Sequence, residues 1–175
     1  MKIAAIVACL IITVLAGCER PSQTKNYSAM SDEELLDEVS DIAFDKLTEA
    51  DDRMEGLEEP YKTVAIVYSA QGIIDNGGLQ YFFESDWPNN PPYSIFADAY
   101  ERIGRVEAAK ALRDAAATFG IPNPERDVDA RRAYIEANYD EDAFEIRGWN
   151  DCICGDEQVW TDLASWVRKH PAFNP

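Results

Sequence analysis

The sequence predicts an all-α protein, one compact domain of about six or seven helices. Apolar residues recur at helical spacing along successive stretches, helix-starting residues precede several of them, and no run alternates apolar with polar as a half-buried strand does. No internal repeat interrupts this pattern.

Ser31-Asp32-Glu33-Glu34 has the form of a capping box, and the helix it opens is predicted to reach about Asp52. On a wheel of about 100° per residue, Leu35, Val39, Ile42, Ala43, Leu47 and Ala50 fall on one face. Glu34, Asp37, Glu38, Asp41, Asp45 and Asp52 fall on the other. Glu58-Glu59-Pro60 starts a second, largely buried helix through Tyr61, Val64, Ala65, Val67, Tyr68, Ile73 and Ile74, which Asp75-Asn76-Gly77-Gly78 should stop. Leu79-Gln80-Tyr81-Phe82-Phe83 is too aromatic for an exposed loop and reads as a short buried helix or turn. A proline-rich loop over Trp87–Pro92 follows.

Tyr93–Ile103 and Val106–Phe119 read as a helical hairpin turned at Gly104, with Ala108, Ala109, Leu112, Ala115, Ala116 and Phe119 at helical spacing in the second arm. Asp127–Asn138 is predicted as a shorter polar helix. The last helix, about Asp156–Lys169, is expected to bury Val159, Trp160, Leu163, Trp166 and Val167 before Pro171 ends it.

The chain has 175 residues, enough for one domain with a real core, and 33 acidic against 16 basic residues give a formal charge of -17. Direct nucleic-acid binding is excluded as an expectation, because phosphate contacts need a basic surface. At the start, Lys2 precedes an uncharged stretch, Ile3–Gly17, shorter than the roughly 18 residues a membrane-spanning helix needs. Leu15-Ala16-Gly17-Cys18 resembles the lipobox of bacterial lipoproteins, in which the cysteine is acylated and the preceding segment is cut away. The expected organisation is a signal peptide over 1–17, a lipidated Cys18 and polar tether over 18–30, and an acidic helical domain over 31–175. That domain is expected outside the cytoplasm, held to the cell membrane or outer membrane by its lipid anchor.

Cys152 and Cys154 are then the only thiols in the folded part. In an oxidising compartment they either pair through a strained ring, or remain two small unpaired core residues, or serve as a redox pair or half of a metal site. A complete zinc site needs more ligands than His170, the only histidine, can add, so neither metal nor cofactor is expected. His170 reads as a cation at a helix C-terminus. Asp140-Glu141-Asp142 with Glu145 lacks the glycine and spacing of a calcium loop and reads as a solvated turn. No phosphate loop, dinucleotide fingerprint, serine-hydrolase elbow or zinc-protease pair occurs, and no catalytic residue is assigned.

Asn76-Gly77-Gly78-Leu79 and the aromatic run Tyr81-Phe82-Phe83 are read first as scaffold: the glycines permit a sharp turn, Asn76 bonds to the backbone, and the aromatics fill the core beneath. With Ala99, Ile103-Gly104 and Ala108-Ala109, these residues resemble the bacterial DNA-mimic-protein (DMP) family across roughly Val64–Asn138. The resemblance implies an all-helical fold and, for the best-known type of member, an acidic surface that imitates DNA and occupies a DNA-binding protein. This chain differs from the family's pattern at Gln80 and Ser85.

Asp37, Asp41, Asp45 and Glu49, spaced i, i+4, form the candidate acidic interaction surface, with successive carboxylates about 6 Å apart along the axis. Function is accordingly expected to be non-enzymatic: a lipid-anchored acidic protein that binds a basic protein surface in the envelope. A cytoplasmic DNA mimic is the alternative, and it requires that Cys18 stay unprocessed. An enzyme or metal binder using Asp75, Asn76, Cys152 and Cys154 is a third.

Overall fold

The structure, a computed structural model, describes residues 25–140 and 143–173. Cys18, the signal segment 1–17 and most of the tether lie outside the described residues, as do Glu141 and Asp142 of the acidic loop.

Among the described residues, seven α-helices and four short 3-10 turns make up the regular structure, and no strand occurs. Helix α1 (Asp32–Glu49) begins as its sequence dictates. The Ser31 hydroxyl accepts from the Glu34 amide at 3.2 Å, and the Glu34 carboxylate accepts from the Ser31 amide at 2.8 Å. The Ser31 amide first, and then the Ser31 hydroxyl, which donates to the same carboxylate at 3.0 Å, hold the Glu34 carboxyl below its ordinary value. Leu35, Leu36, Val39, Ser40, Ala43 and Leu47 are buried, while Ile42 and Ala50 are only half-buried.

The helix stops at Glu49, short of the predicted Asp52, because Asp51 and Asp52 turn left-handed with φ of 55° and 58°. Their amides return to the carbonyls of Thr48 (3.1 Å) and Leu47 (3.0 Å), a Schellman closure that consumes the end of the predicted helix.

Helix α2 (Tyr61–Glu84) is the hub, packing against α1, α3 (Tyr93–Arg102), α5 (Val128–Asn138) and α6 (Ala143–Ile146). It continues past the predicted stop, but as two arms joined through non-helical Gly77 and Gly78. Phe82 and Phe83 in the second arm are fully buried among Trp87, Tyr93, Phe96, Phe119 and Phe144, with ring centroids 4.9–6.1 Å from one or the other. Complete burial of each such ring contributes about 1.5–3 kcal/mol.

Helix α3 and helix α4 (Val106–Ala116) form the expected hairpin. Gly104, at φ 92°, closes α3: its amide bonds the Glu101 carbonyl (3.0 Å) and the Arg105 amide bonds that of Tyr100 (2.8 Å). Helix α4 ends three residues before Phe119, whose ring still joins the core.

Helix α5 is capped by Asp127, whose carboxylate accepts from the Ala130 amide at 2.9 Å. It is less polar than predicted, since Arg131 is 1% exposed. That guanidinium donates to the carbonyls of Phe83, Ser85 (2.7 Å) and Pro124 (2.5 Å), tying the end of α2 to α5. Helix α7 (Gln158–Lys169) packs on α1 and buries Val159, Leu163, Ala164 and Val167. Trp160 and Trp166 are half-buried rather than buried, each ring lying against one partly open ring, Tyr68 for Trp160 and His170 for Trp166. His170 stands at the C-cap of α7, where its Nδ1 accepts from the Ala172 amide at 3.3 Å.

Candidate acidic interaction face

Asp37, Asp41, Asp45 and Glu49 are all exposed on α1, and none forms an ion pair with a cation among the described residues. Three nearby carboxylates are paired instead. Glu38 pairs with Lys25, Glu59 with Arg102 at 3.1 Å, and Asp32 with Arg168. The four-residue line therefore retains charge that the fold neutralises elsewhere.

Each i, i+4 step rises about 6 Å and advances about 40° around the helix, so the line winds by about 120° from Asp37 to Glu49. Its two ends face different surroundings. Asp37 borders a groove of about 600 Å³ between α1 and α7, whereas Glu49 borders a shallower one beside Lys46, Glu58 and Tyr61. Tyr68 lies under the first end; burial raises its phenol above the ordinary value, the Ser40 hydroxyl lowers it, and Asp37 and Asp41 raise it again.

The Asn76-Gly77-Gly78 motif occupies the opposite role. Gly78 adopts φ 69°, ψ -171°, a region essentially reserved for glycine, and the break frees the Leu79 amide to donate to Asn150 Oδ1 at 2.9 Å. Asn150 thus caps the second arm of α2 from far along the chain. Asn76 Nδ2 donates to the Gly72 carbonyl at 2.5 Å, as the scaffold reading expected. Tyr81 departs from it: the side chain is 51% exposed, lying against the α-carbon of Gly77, and only Phe82 and Phe83 fill the core. The helix phase after the break decides this, turning residue 81 outward.

One buried glutamine ties this motif to the loop that precedes α7. Gln71 Nε2 donates to Asp75 Oδ1 (2.7 Å) and to the Ile153 carbonyl (2.9 Å), and its Oε1 accepts from the Tyr100 hydroxyl at 2.7 Å. Asp75 Oδ1 also accepts from the Gly155 amide at 2.8 Å. Burial first, and Asp75 second, push the Tyr100 phenol well up. Sequence reasoning missed Gln71, Tyr100 and Asn150, since the partners that join them to other elements lie 29 to 82 residues away.

The structure places no bond between the sulfurs of Cys152 and Cys154. Their sulfurs engage different carbonyls, Cys152 that of Gly148 and Cys154 that of Ile74, each at 3.4 Å. Neither is a core residue, Cys152 being half-buried and Cys154 exposed. Asp75, Asn76 and Cys154 do share a shallow open depression with Gly77, Gly78 and Asn150, but Cys152 is not part of its lining. Among the described residues no group of three or more His, Cys, Asp or Glu side chains is placed to hold a metal ion. No described helix is long and apolar enough to cross a membrane.

No curated protein and no solved structure matches the chain. A family model described as DMP19-like protein matches residues 55–170, reaching beyond both ends of the stretch that carried the resemblance. Helix α1 precedes that match, so its acidic line stands on its own geometry. The glycine break in α2, the α3–α4 hairpin, the Asn150 cap and α7 to Lys169 all fall inside it, and the chain belongs to the DMP19-like protein family.

Proposed function

We propose that this protein is a non-enzymatic, lipid-anchored member of its family that docks a basic protein surface in the cell envelope. The observation that carries the reading is the exposed line Asp37, Asp41, Asp45 and Glu49, left without a cation among the described residues while Asp32, Glu38 and Glu59 are paired. Charge presented this way steers and orients a basic partner and weakens with salt. Anchoring rests on the lipobox-like Leu15-Ala16-Gly17-Cys18. Seven peptide steps from Cys18 to Lys25 would hold the folded part within about 25 Å of the lipid.

Capture of membrane proteins by the wild-type chain, compared with Asp37→Asn/Asp41→Asn/Asp45→Asn, tests the docking face. A partner set lost in high salt and lost with the triple substitution is the expected result; a set indifferent to both refutes it. Family membership favours a second reading, a cytoplasmic mimic that occupies a DNA-binding protein. Labelled palmitate incorporation and fractionation of wild type and Cys18→Ala separate the two. Acylated, membrane-bound wild type with soluble mutant supports the envelope reading, and two soluble, unlabelled proteins support the mimic.

A further inference from the structure

We infer that the groove between α1 and α7 receives an arginine-bearing segment of the basic partner. This rests on the docking reading above and names where on the face the specific contact forms. The groove, about 600 Å³, falls within the size range of ligand clefts, about 300–1,000 Å³. Its floor is Leu36, Tyr68 and Trp160; its rim carries Glu33, Asp37 and Glu157.

Three features point to a guanidinium. First, the floor is aromatic and partly open: the Tyr68 and Trp160 rings lie 4.9 Å apart at 58° and both are half-buried. A planar cation stacks on such a surface. Second, Glu33, Asp37 and Glu157 have no ion-pair partner among the described residues, so a cation entering the groove meets three uncompensated carboxylates. Third, the fold already uses this chemistry at the groove's edge, where Arg168 from α7 pairs with Asp32 and donates to the Met30 carbonyl at 2.8 Å. The bidentate fork of arginine suits adjacent carboxylates better than the point charge of lysine.

The test uses the full chain and a fluorescent extended peptide bearing two arginines, with its lysine counterpart, read by anisotropy. Trp160→Leu and Glu157→Gln should each weaken arginine-peptide binding by about fivefold or more, while Trp160→Phe keeps most of it. Asp129→Asn, exposed on α5 and outside the groove lining, should change it less than twofold, and the lysine peptide should bind more weakly. Glu157 is exposed, so its variant keeps the test decisive if Trp160→Leu fails to fold. Unchanged affinity in Glu157→Gln and Trp160→Leu, equal loss in Asp129→Asn, or no binding to wild type overturns the groove assignment. Salt-sensitive capture of a membrane partner that survives Trp160→Leu overturns it too, yet leaves the acidic docking face standing.

Discussion

A methyl group at Gly78 would meet two obstacles at once, and each has a magnitude. The backbone at φ 69°, ψ -171° costs a side-chain-bearing residue about 1–3 kcal/mol. The added carbon would also stand 2.7 Å from Asn150 Nδ2 and 3.0 Å from Oδ1, so the amide must move and release the buried Leu79 N–H. An unsatisfied buried donor costs about 1–3 kcal/mol. Gly78→Ala should therefore lose roughly 2–6 kcal/mol, a large part of the roughly 5–15 kcal/mol that holds a domain together. Urea unfolding followed by circular dichroism measures the loss. A double-mutant cycle with Asn150→Ala apportions it: with the cap already gone, Gly78→Ala should cost only the backbone share, giving a coupling of about 1–3 kcal/mol. A loss below about 0.5 kcal/mol, or strict additivity of the two substitutions, would refute the view that the break exists to let Asn150 cap the second arm.

Arg131→Met should cost about 2–4 kcal/mol in the same assay, because it strips the carbonyls of Phe83, Ser85 and Pro124 of their donors while keeping an apolar stem; a neutral result would mean water replaces the guanidinium. Glu34 has a folded-state value below the unfolded one, so its contribution is present above the ordinary carboxylate range and is lost as pH falls through its lowered value. The melting-temperature difference between wild type and Glu34→Gln should accordingly shrink on acidification. Tyr68, Tyr93 and Tyr100 are raised above 10, chiefly by burial, so the stability they confer is complete below pH 10 and declines as pH climbs from there toward their folded values. In an alkaline titration their ultraviolet ionisation signal should coincide with loss of helicity, and Tyr100→Phe should shift that transition upward.

Much of the fold was readable from neighbours in the chain. The capping box at Ser31, the Gly104 hairpin and the apolar faces of α1 and α4 are decided within a few residues, because a helical turn spans only about four. The exposure of Asp37, Asp41, Asp45 and Glu49 followed from the same periodicity. Where local signals competed, they misled. Asp51 and Asp52 read as helix but close a left-handed turn, and Tyr81 read as core but emerges on the far side of the glycine break.

Composition, helical period and the caps were enough to establish an acidic all-α chain and the helix that carries its charge, since those properties arise from contacts a turn or two apart. Assembly of the α1–α7 groove from Tyr68 and Trp160, the trans cap of Leu79 by Asn150, and the burial of Arg131 among three carbonyls of two segments depended on packing. Those contacts join residues from 7 to 92 positions apart, the last being Tyr68 and Trp160, 160 - 68. No periodicity encodes which half-buried aromatic will face a neighbour and which a partner; that is settled when the helices close on one another and bury what they can reach.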